Sequence, residues 1–244
     1  MLYFPVLNNY FCPLSPHQRI MKTIYILTAT LFTALYANCQ IEWAVFAGPQ
    51  ATNTNYVIQG AKQKSEAKYG FQAGVALKVP FEGNLFFAPE GFYSMKGYKV
   101  TFSRFVYPPG PTAADNNTTF HCFELAALLQ YDFGNNPSHF YIKAGPSLDF
   151  QLFGKEKFNE IGGGSVDRSM KFGPGEYGRY SANLLAKLGY ETASGFMISA
   201  HYTHGAANLN NADGGPAFRH RAYGISIGKY INRKKIVMDT KNKE

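Results

Sequence analysis

The chain has 244 residues; 16% are aromatic, with Phe (21) and Tyr (17) dominating, and only 16% are charged. Together with 24 glycines, this argues against a disordered or helix-dominated chain and favours pleated, aromatic-rich strands. The formal charge of +8 comes without a nucleic-acid motif, so the basic excess points to anionic surfaces and not to nucleic acid.

In chain order, residues 1–20 carry Pro5, Pro13 and Pro16 without periodicity and read as an overlong start outside the fold. Residues 21–39 read as a signal peptide: Lys22, an apolar segment from Ile24 to Tyr36, then Ala37 and Cys39 at small-residue cleavage positions before Gln40. The apolar segment is short for a membrane anchor. Asn38 stands where a lipoprotein signal usually has Gly or Ala, which argues against a lipid on Cys39. Once the leader is cut, Cys122 stands alone and the fold must hold without an internal disulfide. Beyond residue 40 no run of about 20 apolar residues offers a spanning helix.

From 40 to 231 the pattern predicts one barrel domain of eight period-two strands. They run from Ile41 to Ala51, Tyr69 to Phe81, Leu85 to Lys96 and Phe120 to Phe133, then His139 to Phe150, Tyr180 to Glu191, Gly195 to Thr203 and Arg219 to Ile231. Most exceed the usual soluble strand and suit a tilted membrane strand of about 9 to 11 residues. Tight links follow the second, fourth and sixth strands ("EGN", "GNNPS", "TAS"). Long polar links follow the first, third, fifth and seventh: Thr52 to Lys68, Gly97 to Thr119, Gln151 to Arg179 and His204 to Phe218. Strict alternation of short and long links is the pattern of an up-and-down transmembrane β-barrel with short periplasmic turns and four external loops. Residues 232–244, beginning "NRKK", follow the last strand as a basic periplasmic tail.

The two faces of each strand differ in kind. Phe123, Leu125, Ala127, Leu129 and Tyr131 share one face; Cys122, Glu124, Ala126, Leu128, Gln130 and Asp132 share the other. The apolar rows end in aromatics such as Tyr69, Phe133, Phe140, Tyr180 and Tyr190, where interfacial girdles require them. The polar face would then line a narrow lumen that side chains fill.

Counted from the short-turn ends, Glu90, Lys143, Lys187 and His201 fall about four or five residues up, in one layer of that lumen. An internal ion pair of Glu90 with Lys143 or Lys187, joined by Glu124, is the expected structural network, because a buried carboxylate without a partner is costly. No catalytic residue is expected. His201 and Ser199 share a face but sit two residues apart, without the base and orienting group that nucleophilic chemistry needs. No metal site or cofactor is expected either. His121 would point away from Cys122 and Glu124, and "GGG" (Gly162 to Gly164) lacks the strand-to-helix context of a phosphate cradle.

"APEGFYSMKGYKV", "FELAALLQYDFGNNPSHFYIKAGPSLDF" and "RAYGISIGKYI" resemble the PorT-like outer-membrane β-barrel family of Bacteroidota. Pro89, Glu90, Tyr93, Ser94, Lys96 and Gly97 fit the family's first motif, and Tyr141, Gly145 and Pro146 another. Ala126 stands where the family usually has proline, and "NRKKIVMDTKNKE" replaces a terminal aromatic. The resemblance implies an integral outer-membrane protein exposed to lipid. The name-giving member's secretion role is not carried by any residue here.

The sequence therefore predicts an outer-membrane barrel, not an enzyme, whose external loops serve binding or accessory roles toward protein or polysaccharide partners. Two alternatives stay open: a barrel hydrolase using His201, and a soluble lipocalin-like barrel with its apolar rows turned inward.

Overall fold

The computed structural model describes residues 41–233; the expected overlong start and signal peptide, and the tail after Arg233, lie outside the described residues. Twelve strands form one antiparallel sheet. In chain order they are β1 (Glu42–Ile58), β2 (Ala61–Lys62), β3 (Lys64–Glu82), β4 (Leu85–Phe87), β5 (Glu90–Thr101) and β6 (Asp115–Ala126). There follow β7 (Leu129–Phe133), β8 (His139–Asn159), β9 (Ser165–Ser169), β10 (Tyr180–Glu191), β11 (Phe196–Gly205) and β12 (Ala217–Tyr230).

The sheet closes on itself, because β1 pairs with both β3 and β12 along most of its length. Counting β4 with β5 and β6 with β7, eight staves make an up-and-down ring, and β2 and β9 are short additions at the long-loop end. Within the ring of eight staves closure leaves no edge strand, the condition for strands to cross lipid. Both described ends meet at the short-turn end, where the Ile231 amide donates to the Trp43 carbonyl at 2.7 Å and the Trp43 amide to Asn232 Oδ1 at 2.7 Å.

Alternation sorts the side chains. Along β10, Tyr180, Ala182, Leu184, Ala186 and Leu188 face out, while Ser181, Asn183, Leu185 and Lys187 are buried inside. Leu184 is 58% exposed and Ile227 on β12 64%, so a continuous apolar wall faces outward. From Tyr180 to Tyr190 the chain rises about 25 Å if it is tilted as barrel strands are, the height of an outer-membrane apolar band. Aromatics mark both edges of that band. Phe140 packs on Tyr190 at 4.9 Å near the short turns, and Phe150 on Tyr180 at 5.4 Å near the long loops.

Three expectations about the strands are corrected. First, β1, β3 and β8 are 17, 19 and 21 residues long, so much of what reads as long loop in sequence is strand standing beyond the band. There the alternation inverts: Asn53, Asn55, Lys155 and Lys157 point out, while Tyr56, Ile58 and Phe158 are buried. Outside the bilayer water faces the wall and the apolar side must turn inward. Second, the third strand does not break off at Lys96 and Gly97 but continues to Thr101. Third, two strands expected to be continuous are interrupted, at Ala88 and Pro89 and at Ala127 and Leu128. The gaps are adjacent, since the Ala88 amide donates to the Leu128 carbonyl at 2.8 Å and the Ala127 amide to the Pro146 carbonyl at 3.0 Å. Pro89 and Pro146 each lack the amide hydrogen that a regular ladder would use.

Candidate functional site

The bore is filled in layers. At the short-turn mouth, the Lys78 ammonium lies 2.6 Å from Asp132 Oδ2 and 3.0 Å from Glu191 Oε2. Arg233 donates to Glu191 at 2.9 Å, Tyr230 to its other oxygen at 2.8 Å, and His139 Nε2 lies 3.0 Å from Asp132. Asp132, His139 and Glu191 bring ligand atoms within 4.8 Å of one another, a spacing a metal ion could use. Lys78 already stands between the two carboxylates, so the cluster is neutralised by its own cations. His139, below Phe140 at the mouth, has its pKa raised by the Glu191 carboxylate 3.4 Å from its Nε2; burial acts against this and the charge of Asp132 adds to it.

Higher in the bore, Glu90 on β5 is ion-paired with Lys187 on β10 and, at 3.3 Å, with Lys143 on β8. The three come from different staves and are all buried. The Lys187 ammonium also lies 4.3 Å from the Phe46 ring centre and 5.3 Å from that of Phe92, so rings share in replacing its lost hydration. The free volume beside this group is about 10 Å³, on the order of one water.

Glu124 is not part of that group. It accepts from Lys96 at 2.8 Å and from Ser147 at 2.5 Å, and Lys96 reaches Asp149 at 2.8 Å. The expected single network is thus two, with Lys96 the cation of the upper one. His201 joins neither: its Nδ1 lies 3.2 Å from Gln72 Nε2, which in turn donates to Ser226 at 2.7 Å. Gly224 lies opposite His201 in the ladder, and a Cβ there would stand 2.8 Å from the imidazole.

Lys78, Lys96, Asp132, Asp149 and Glu191 belong to these clusters without having been expected there. Their inward parity was readable in the sequence, but which charge faces which depends on register between staves. His121 points outward, stacked on Phe153 at 4.3 Å in the girdle, and Cys122 is buried and donates to Gln151 at 2.9 Å.

Above the ion pairs an aromatic plug occupies the bore. Tyr56 stacks on Phe218 at 5.2 Å, and Phe120 packs edge-on against His220 at 4.8 Å. Tyr177, from the segment after β9, donates to Glu156 at 2.7 Å, and Arg168 on β9 donates to the same carboxylate at 2.7 Å. Arg168 also donates to the Pro109 carbonyl at 2.6 Å, so two of the long connections are tied to the plug. Tyr107, at a loop surface, has its pKa raised by its hydrogen bond to Glu176.

The profile of a family described as outer membrane protein beta-barrel domain matches residues 36–211. Among solved structures the chain is similar to Ail, the attachment invasion locus protein of Yersinia pestis, in complex with the heparin analogue sucrose octasulfate. The identity is 17% and the TM-score 0.41, over 78% of this chain and 97% of that one. It is similar also to the outer membrane protein OprG from Pseudomonas aeruginosa (14% identity, TM-score 0.45, 78% and 95% covered). Neisserial surface protein A gives 14% identity and a TM-score of 0.37, with 76% and 97% covered. Among curated proteins nothing matches.

Proposed function

Because the chain belongs to the outer membrane protein beta-barrel family and is an outer membrane protein, we propose that it is a filled, non-catalytic scaffold that acts through its external surface. The observation that carries this reading is the doubly occupied bore. Buried ion pairs fill its middle and an aromatic plug its upper part, so solute has no evident route past them. The internal charges are structural: they hold staves together and set their register. The extended strands and the tied-down loops beyond the apolar band are the working surface, in keeping with loops on a rigid scaffold carrying binding chemistry. Its partners are protein or polysaccharide, as the mixed charges between Lys155 and Arg179 suit.

The rival hydrolase fits poorly. His201 is 5% exposed, inside the wall, with Gln72 as neighbour instead of an orienting carboxylate. The soluble, ligand-binding alternative needs the apolar rows inside, and across the band they face out. The kinship with PorT-like barrels of Bacteroidota, and with it an accessory role, rests on the Pro89–Glu90, Tyr93–Ser94 and Lys96–Gly97 motif.

Liposomes loaded with a self-quenching dye and carrying the folded protein test this reading. They should hold their dye and potassium gradient as protein-free liposomes do, and ester and amide substrates should remain intact. Ion leakage that scales with protein, or hydrolysis lost on His201→Ala, would sink it.

A further inference from the structure

The outer girdle on one side of the barrel is built by four consecutive staves. Phe71 on β3 lies 5.3 Å from Tyr93 on β5, which lies 6.0 Å from His121 on β6, which stacks on Phe153 of β8. Just beyond it, the outward positions of the same staves turn basic: Lys64 and Lys68 on β3, Lys99 on β5, Lys155 and Lys157 on β8. Asn117 stands opposite Lys99 on one side and Lys157 on the other, so these cations converge on one sector of wall. There a cleft of about 370 Å³ is lined by Lys64, Lys99, Lys157 and Asn117, with Glu66 and Asp115. Asp115 is engaged by Asn159, through its amide at 2.9 Å and its side chain at 2.7 Å. Lys68 crosses the bare Gly97 to donate to Asn117 at 2.8 Å and Thr119 at 2.6 Å, bracing the floor. Lys64, Lys99 and Lys157 are exposed, and no ion pair engages them among the described residues.

We propose that this sector docks an outer-leaflet lipid through its phosphates, with the acyl chains lying along the apolar wall below. The cleft is formed by outward-facing side chains of the wall, where a headgroup would lie, and not by the loop tips. Its Lys64, Asn117 and Lys157 stand four to seven residues further along the same staves from Phe71, Phe123 and Phe153, which are exposed below it. Those two features fit an amphiphile better than a soluble polyanion, which would need only the charges. Lysines at such a height are point charges suited to phosphate, and each adds roughly fivefold to attraction for an anionic lipid surface.

The test is native mass spectrometry of the folded, detergent-held protein titrated with bisphosphorylated lipid A, with its dephosphorylated form and with heparin. The boiling-dependent gel shift is read in parallel, to separate loss of the site from loss of the barrel. The wild type should bind the bisphosphorylated lipid. The K64Q/K99Q/K157Q variant, with its gel shift intact, should bind it at least about tenfold more weakly, and the dephosphorylated lipid should bind weakly to both. Should that variant lose its gel shift, Lys157→Gln alone supplies the comparison, with about fivefold weakening expected. Unchanged lipid binding in a folded variant overturns the proposal. So does equal binding of the dephosphorylated lipid, or heparin binding that displaces the lipid and makes the cleft a soluble polyanion site.

Discussion

At the scale of single residues, Glu90 decides most. Its carboxylate stands between two buried ammonium groups, and Glu90→Gln would leave both without a countercharge. Removing one partner of a buried pair costs about 3 to 5 kcal/mol, so urea unfolding in detergent should show a loss of that order. Glu90→Gln combined with Lys187→Met should recover part of it; a single variant as stable as the wild type would contradict the structural role. His139 makes a pH-dependent contribution at the mouth. Its folded pKa is raised, so its stabilisation is complete below the unfolded value of about 6.5 and fades as pH rises through the folded value. The stability gap between wild type and His139→Gln should therefore be wider at pH 5.5 than at pH 9; a gap independent of pH would refute the link. Much of this interior is legible in the sequence, because inward parity alone puts Glu90, Lys143, Lys187 and His201 on the lumen face. What parity does not give is the pairing. Glu124 faces Asp149 across the β6–β8 ladder, and it is that register which hands Glu124 to Lys96 and leaves Glu90 to Lys143 and Lys187.

At the scale of elements, the tight turns and the span of β10 follow from local pattern, whereas the upper ends of β1, β3 and β8 do not. The rule that reads a membrane strand, apolar out and polar in, stops at the girdle; beyond it the same strand obeys the opposite rule. Tyr56, Tyr98 and Phe158 carry that inverted alternation, and in sequence they look like aromatics scattered through polar loops. Two element-level tests follow from packing. A Cβ at Gly189 would stand 2.4 Å from the Tyr141 ring and 2.7 Å from the Ile198 carbonyl oxygen. Overpacking of that kind costs about 1 to 3 kcal/mol, so Gly189→Ala should lower the urea midpoint; an unchanged midpoint would mean the ring is free to move. Glu156→Gln removes the charge that Arg168 and Tyr177 share. Limited proteolysis should then cut the segment between β9 and β10 faster while the barrel remains protected. Equal cutting rates would show that the loop is held by other means.

At the scale of the whole molecule, two kinds of closure act together. Pairing of β1 with β12 removes the free edges of the eight-stave ring, and the charged and aromatic layers occupy the interior that a narrow ring leaves. The outer surface is then divided by what surrounds it: an apolar band between girdles, and a basic, polar extension above. A single chain satisfies lipid and water at once because its alternation switches sense where the environment does. Resemblance and periodicity both point to this architecture from the sequence, while the plug and the lateral cleft emerge only when distant segments come together in the ring. The most direct measurement is the gel mobility of the chain in outer-membrane fractions, with and without boiling. Faster migration of the unboiled band is the predicted result, since a closed, internally bonded barrel stays compact in detergent. A chain found in the soluble fraction, with one mobility before and after boiling, would contradict the lipid-facing barrel itself.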